Sequence, residues 1–594
     1  MSKKERWLKS RKITPEKMRL ARLALTEIIA GEETLAAIKH HPTATGYIGK
    51  NVLVAAYNAM VDAGEIEPSN ALLVKIRMKP VRTLSGVTTV TVLTKHYHCP
   101  GQCIFCPDDV RMPKSYLPDE PGAMRGLHHK FDPYEQVTSR MEALRAVGHP
   151  TDKIELLILG GTWSAYKRDY QEWFIKRCFD ALNGIHEVTP KNTKREEKYA
   201  IRNTQYALET DSLPKAQKLN ETAQHRNVGL VVETRPDEIT VDELKWFRYL
   251  GVTKVQMGAQ SLDDEILALN KRGHTLEDLY KAMALLRAGG FKIVLHWMPN
   301  LLGATVESDK KDFLRLWEGI APDELKIYPT QLLENTELHE AWKRGEYKPY
   351  TMQELIDLIA DVKRSVPRYC RINRVIRDIP STNVVAGNKR TSLRQDVHDE
   401  MKKRGTRCEC LRCREVRGQK VEIEKLKLDD LVYYPLLTSP AGGSPPHPFN
   451  RLRTPPSLPP QGEGTFSPPR GEIKEGGKGG EHFISFITPD DKVAGFLRLS
   501  LPSKNAPNLG IEDLENAAII REVHVYGQSL KVGAEKDGAA QHAGLGTRLL
   551  TIAEQVAHTR GFGRIAVISA VGTRGYYLER GFKRGKSYLI KEIK

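Results

Sequence analysis

From about Val81 to Pro329 the chain repeats one pattern, a short apolar run followed by a longer amphipathic segment. The runs fall at 87–93, 154–159, 228–232, 252–258, 291–298 and 324–328, with segments such as Tyr134–Val147 and Asp242–Leu250 between them. Runs of that length are strand-sized. Strands joined through helices pair in parallel, because a parallel neighbour is reached only by a crossover. An α/β domain follows, with its sheet either open or curled into a partial barrel. In a barrel, reactive side chains gather in the loops at the C-terminal ends of the strands.

The remainder of the 594 residues divides by composition, as a chain too long for one core should. Residues 1–80 read as a basic helical region. Thr14-Pro15-Glu16 offers an N-cap followed by proline at the first helical position, and a second helix around Asn51–Ala63 stops near Gly64. The stretch 438–480 holds ten prolines and nine glycines in 43 residues, with almost no aliphatics. Nothing there can offset the entropy of ordering, so a disordered insertion is expected. Residues 481–594 resume β and α signals and end in a strand-like Ser587–Ile590. No apolar run approaches the roughly 20 residues that span a bilayer, and the N-terminus lacks the apolar stretch of a signal peptide. The expected setting is cytoplasmic, without membrane association.

The net charge of +17 is concentrated in two places. Residues 1–22 hold nine Lys/Arg against two acids and residues 363–417 sixteen against six, so +7 and +10 account for all of it. Two basic blocks on a neutral body suggest a polyanionic partner, although solvated helical faces would look the same.

Six of the eight cysteines fall in two tight groups, Cys99, Cys103, Cys106 and Cys408, Cys410, Cys413, with Cys178 and Cys370 apart. Such groups in a large chain favour metal over disulfides. The first is C-x3-C-x2-C on a loop after the 87–93 run. Its three thiolates can hold three irons of a 4Fe–4S cluster and leave the fourth iron open. Zinc is the rival, with His96 or His98 as a fourth ligand.

This spacing, with Phe105 just before the third cysteine, resembles the radical S-adenosylmethionine superfamily. That resemblance implies a partial (β/α)6 barrel over 81–350 and an open iron that binds the amino and carboxylate groups of S-adenosylmethionine. It extends to Gly160-Gly161-Thr162, similar to the glycine motif beside the methionyl amino group, and to Glu233 and Gln256 at strand ends. A bare Gly-Gly would otherwise be an ordinary turn.

Near the C-terminus, Gln541-His542-Ala543-Gly544-Leu545-Gly546-Thr547-Arg548 opens a helical pattern that runs through Thr559. Q-x-x-G-x-G at a helix start lets backbone amides and the helix dipole cradle a pyrophosphate. With β-like Arg521–Val525 before it, Arg564–Ile568 after it, and Arg574-Gly575-Tyr576-Tyr577 beyond, the segment resembles the GNAT acetyltransferase fold, whose ligand is acetyl-coenzyme A. Tyr577 would stand near the thioester, or serve as an aromatic wedge against the sheet.

The two halves together, with Glu233-Thr234-Arg235-Pro236-Asp237, Arg377-Asp378-Ile379-Pro380 and His524-Val525-Tyr526-Gly527, resemble the family of the Elongator catalytic subunit in its stand-alone prokaryotic form. The resemblance covers nearly everything except 438–480. It implies conversion of the wobble uridine of certain transfer RNAs to 5-carboxymethyluridine. In that chemistry an electron donor reduces the cluster, and a 5′-deoxyadenosyl radical takes hydrogen from the acetyl methyl of acetyl-coenzyme A. The carbon radical adds to uracil carbon 5, and thioester hydrolysis leaves the carboxymethyl group. The resemblance assigns coenzyme contacts to Lys153, to Glu522, Val523, His524 and Val525, to Leu545, Gly546, Thr547 and Arg548, and to Tyr577. Lys153 and Tyr577 are the catalytic candidates, Lys153 expected to reach the barrel mouth. The basic blocks would take the anticodon stem-loop; self-association as a homodimer is left open. The second cysteine group, C-x-C-x2-C in a connecting region 351–437, is read as structural zinc, with Cys370 preferred over His398 as fourth ligand. Two other functions compete: a protein lysine acetyltransferase whose iron–sulfur cluster is only structural, and a non-catalytic RNA-binding scaffold.

Overall fold

The computed structural model describes residues 13–44, 46–184, 212–417, 419, 421–435, 480–527 and 544–594. The expectations for residues 1–12, for the insertion up to 479 and for Gln541 lie outside the described residues. The N-terminal region is helical, with Pro15–Ile29, Thr34–His40, Lys50–Asp62 and Asn70–Ile76 around a core of its own that includes Leu25, Ile28, Leu53 and Ile76. Its first helix starts where Thr14 Oγ1 accepts the Lys17 amide at 3.2 Å and Pro15 sets the first helical φ.

All six expected strands form: β1 Thr88–Leu93, β2 Lys153–Leu159, β3 Arg226–Thr234, β4 Lys254–Gln260, β5 Lys292–Trp297 and β6 Glu324–Ile327. A seventh, β7 Arg371–Arg374, pairs with β6, and the sheet runs β1 to β7 in sequence order, every pair parallel. Helices such as Val241–Leu250 and Leu276–Ala288 cover its outer face, started by the side chains of Thr240 and Thr275. This is the partial barrel.

The second sheet is mixed. It comprises β8 Lys427–Tyr433, β9 Gly480–Ile487, β10 Val493–Leu501, β11 Ala517–Val525, β12 Arg564–Val567, β13 Lys583–Arg584 and β14 Leu589–Glu592, in the order β13-β14-β12-β11-β10-β9-β8. β8 to β11 are antiparallel neighbours; the helix Leu545–Thr559 then crosses over so that β12 lies parallel to β11. That crossover gives the GNAT-type α/β domain. The segment 351–437 contributes β7 to one sheet and β8 to the other, so it is shared structure rather than a connector.

The two domains are joined end to face. The second sheet meets the N-terminal ends of the barrel strands, and one apolar core runs continuously through both. At the centre lies Asp323, fully buried just before β6, paired with Arg521 and, at 3.5 Å, with Arg498. Arg521 also donates to Phe291 O before β5 at 2.7 Å and pairs with Glu481 at 2.7 Å; Arg498 donates to Tyr369 O before β7 at 2.8 Å. Among the described residues no helix is long and apolar enough to cross a membrane.

Candidate functional site

Parallel strands have one direction, so all seven C-terminal ends open on the face opposite the acetyltransferase domain. The loop after β1 carries Cys99, Cys103 and Cys106 there. Its neighbours arrive from three other strands. Gly160 and Gly161 end β2 with φ of 146° and 88°, a backbone that side chains resist, and a Cβ on Gly160 would overlap Thr94 Oγ1. Thr162 Oγ1 lies 3.4 Å from Cys99 Sγ, which joins the glycine motif to the cysteine loop. Arg272 Nη2 donates to Gly258 O at 2.8 Å, and its Nη1 donates to Cys103 Sγ at 3.4 Å. Arg235 is pinned by Asp237 at 2.7 Å and lies so close to Gly101 that no Cβ fits there.

These groups suit an iron–sulfur cluster with a ligand beside it. Arg235 Nη1, Arg272 Nε and both ring nitrogens of His274 are buried without hydrogen-bond partners. Burial, reinforced by Arg272 and Arg235, pushes the His274 imidazole down to about 2. Burial likewise pushes the Cys106 thiol up to about 12, so a cationic cluster is what would hold it as thiolate. Zinc fits less well. A tetrahedral zinc holds its sulfurs about 3.8 Å apart. Among the described residues, the group whose ligand atoms all lie within 4.8 Å of one another is Cys408, Cys410 and Cys413, not Cys99, Cys103 and Cys106.

A cavity of about 1240 Å³ starts under this loop and runs through the barrel. At the cysteine end it is lined by Phe105, Cys106, Tyr116 and Arg377, in the middle by Glu155, Lys254, Gln256, Lys292, Glu324 and Lys326, and at the far end by Glu522, Val523, His524 and Tyr577. A second cavity of about 690 Å³ lies over the same loop, lined by His98, Cys99, Cys103 and Glu334. Glu233 accepts from Tyr116 Oη at 3.1 Å, and Gln256 Oε1 accepts from Lys326 and lies 3.2 Å from His296 Nε2. Both face the barrel interior. The middle of the passage is charged yet compensated: Lys254 pairs with Glu155 at 2.5 Å, and Lys292 bridges Glu324 at 2.7 Å and Glu522.

At the far end the helix Leu545–Thr559 begins with Gly544 at φ 67° and has no side-chain cap, so its first amides are open to an anion. A Cβ on Gly546 would come within 2.5 Å of Tyr576 Oη, so a larger residue there would have to displace that phenol. Arg548 stacks its guanidinium 4.8 Å from the Phe486 ring centre. Val525 pairs with Gly495 at the end of β11. His524 Nε2 is buried without a partner, and burial pushes its imidazole down to about 4. Tyr577 is buried against Phe582, at the cavity wall. These features fit a pantetheine and pyrophosphate chain.

Lys153 is placed differently from expectation. It is the first residue of β2, so strand direction puts it at the end facing the acetyltransferase domain rather than at the barrel mouth, and it does not line the cavity. The second cysteine group is more compact than the first, with Cys410 Sγ and Cys413 Sγ 3.7 Å apart, the separation a tetrahedral zinc imposes. Cys370 does not join it within 4.8 Å, nor does His398. Cys370 meets the group through its backbone, its carbonyl accepting the Leu411 amide at 2.9 Å. His398 Nε2 is buried and unpartnered, its imidazole pushed down to about 4 by burial and by Lys363. Sequence reasoning missed Arg235, Arg272 and His274 as neighbours of the first loop. Arg235 sits in the quoted Glu233–Asp237 motif; the other two had no signal short of the fold.

A curled parallel sheet with a three-cysteine loop at its C-terminal edge and an acetyltransferase-type sheet at its base defines a radical SAM enzyme fused to a GNAT-type domain. The Radical SAM superfamily pattern matches residues 94–314 and the radical SAM C-terminal domain residues 322–403, and membership implies a 4Fe–4S cluster and S-adenosylmethionine. The chain is 39% identical to a tRNA uridine(34) acetyltransferase of Methanocaldococcus jannaschii, over 89% of this chain and 88% of that protein. It is 33% identical to Elongator complex protein 3 of Bos taurus, over 88% and 87%. The solved Methanocaldococcus infernus Elp3 with an N-terminal deletion superposes with a TM-score of 0.66 at 36% identity, covering 86% of this chain and all of that one. The chain belongs to the Elongator complex protein 3 family, which includes the tRNA uridine(34) acetyltransferases.

Proposed function

We propose that this chain modifies the wobble uridine of transfer RNA, forming 5-carboxymethyluridine from acetyl-coenzyme A. The observation that carries the reading is the passage of about 1240 Å³, which connects Cys106 at one end of the barrel with His524 and Tyr577 at the other. An enzyme whose two halves served separate reactions would have no use for it. The relatives named for uridine(34) supply the base and the position.

When bound, the cluster and S-adenosylmethionine supply one-electron chemistry capable of activating an unreactive methyl group. The chain's own residues do the rest. Cys99, Cys103 and Cys106 anchor the cluster; Gly160, Gly161 and Thr162 leave room for the methionyl end, and Glu233 and Gln256 orient the cofactor from β3 and β4. Gly544, Leu545, Gly546, Thr547 and Arg548 receive the coenzyme pyrophosphate on open amides. Backbone groups of Val523, His524 and Val525 hold the pantetheine arm as an added strand edge, because the Glu522 carboxylate is already committed to Lys292 and Arg498. Tyr577 presents its phenol to the thioester, and Lys153, from below, completes the coenzyme contacts. Cys408, Cys410 and Cys413 hold zinc that fixes the shared segment between the domains. The reductant reaches the cluster through the second cavity, and the anticodon loop approaches the basic 363–417 block. A transfer-RNA enzyme whose cysteines serve as metal ligands rather than disulfides belongs in the cytoplasm.

The test is anaerobic incubation of the reduced, iron-loaded enzyme with both cosubstrates and transfer RNA, followed by nucleoside analysis. 5-Carboxymethyluridine is expected. Robust lysine acetylation of added protein without a new nucleoside would overturn the reading.

A further inference from the structure

A half-barrel has two edge strands, here β1 and β7, and the gap between them is the lateral way into its interior. Both lips of that gap are cationic. On the β7 side the cavity wall includes Arg394, Arg412 and Arg417, all from the 363–417 block. On the β1 side it includes Lys79, Arg82, Arg125 and Arg140, which belong to neither basic block. These four come from three elements: the turn of 3-10 helix Pro80–Thr83 with the residue before it, helix Pro121–His128 and helix Pro133–Arg145. The fold therefore assembles a charge cluster that no window of sequence contains.

Among the described residues no carboxylate contributes to the surroundings of Arg125 or Arg140; their charged neighbours are each other and Arg82. Arg125 Nη1 donates to Pro121 O at 2.7 Å, and its second terminal nitrogen is left over. Burial and these like charges push the Arg140 guanidinium down to about 10. His149 is close enough to feel Arg77, Arg82 and Arg140, and burial with those charges pushes its imidazole down to about 4, so it adds no competing proton and no anion. Gathered arginines repel unless an anion completes them. Around the barrel interior, by contrast, Lys254, Lys292, Arg371, Arg498 and Arg521 are all paired with carboxylates.

We propose that Arg82, Arg125 and Arg140, with Lys79, form a phosphodiester-binding site that seats the RNA backbone on the β1 lip, opposite the arginines of β7. Single-stranded RNA is read by splaying its bases while cations hold its phosphates. Two cationic lips on one slot hold the phosphates on either side of a nucleotide whose base turns inward, toward Tyr116, His296 and Tyr328 on the cavity wall. Planar guanidinium groups suit phosphate oxygens in pairs, which explains arginine rather than lysine at three of the four positions.

The inference rests on the transfer-RNA reading, and the experiment separates the two. Transfer-RNA affinity is measured across salt for the full-length wild type, for Arg125→Gln/Arg140→Gln and for Arg125→Lys/Arg140→Lys; acetyl-coenzyme A affinity is titrated in parallel, because its phosphates are the other source of the same chemistry. The Gln pair is expected to weaken RNA binding at least tenfold in low salt. It should flatten the logarithmic salt slope by about 1.4, at about 0.7 per lost single-strand phosphate contact. The Lys pair keeps most of the slope, which excludes misfolding as the cause. Coenzyme affinity stays within twofold. An unchanged slope in the Gln pair, or a loss confined to acetyl-coenzyme A, overturns the site while leaving the function intact. A wild type that neither binds nor modifies transfer RNA overturns both.

Discussion

At the scale of single residues, the cysteine loop depends on groups that never touch a metal. Arg272 reaches from the loop after β4 to Cys103 Sγ and is fixed in that pose by Gly258 O. A donor on a ligating sulfur and a positive charge nearby both favour the more negative, reduced state of a cluster. Arg272→Gln, in protein reconstituted with iron, should therefore retain iron content and visible absorbance while the midpoint potential moves to a more negative value. Arg272→Lys, which keeps the charge, should shift it less. A potential unmoved in both variants would make Arg272 a packing residue only.

At the scale of elements, β8 and β9 are antiparallel neighbours with Tyr433 opposite Glu481, so the chain leaves one strand and re-enters the next at the same end of the pair. A hairpin there needs a short turn and nothing longer. Replacing residues 436–479 by a five-residue Gly-containing turn should leave the melting temperature within about 2 °C and nucleoside yield within twofold; a collapse of either would show that the segment acts on the folded enzyme. The same strands show what sequence could reveal. The barrel strands are legible as apolar runs, and where burial covers both faces, as in Ile293–Trp297 of β5, the run is nearly unbroken. β7, Arg371-Ile372-Asn373-Arg374, is not: Arg371 and Asn373 sit half-buried against partners, Arg371 with Glu415 at 2.8 Å and Asn373 with Glu324 at 2.6 Å, and no local pattern announces a charge neutralised from across the fold. The cysteine loops were legible because their residues are contiguous. The error over Lys153 was one of direction: naming the strand was easy, but which end was the mouth followed only from where the cysteine loop emerged.

At the scale of the whole molecule, the link between the two halves is ionic at its centre. Asp323 belongs to the barrel, Arg498, Arg521 and Glu481 to the acetyltransferase sheet, and all are buried. Burial opposes ionisation of Asp323, yet the surrounding Arg521, Arg498 and Arg287 overcome it and hold the carboxyl at about 2, below its ordinary 3.8. A carboxyl lowered on folding contributes stability that is fully present above its unfolded value and is lost as pH falls through the folded one. Its contribution should thus hold above about pH 4 and vanish toward pH 2. Asp323→Asn leaves two guanidinium groups buried without their shared anion, a change expected to cost about 3–5 kcal/mol. The sequence provides the means to see where that loss falls. All seven tryptophans lie before residue 350, so tryptophan fluorescence reports on the barrel side alone, while far-ultraviolet circular dichroism reports on both domains. In denaturant at pH 7 the two signals should unfold together in the wild type, because the shared core and its central ion pairs make one cooperative unit. In Asp323→Asn the midpoints should fall and separate, and the acid limb between about pH 4 and 2 should flatten. Coincident, unshifted transitions in the variant would show that the apolar core alone couples the halves.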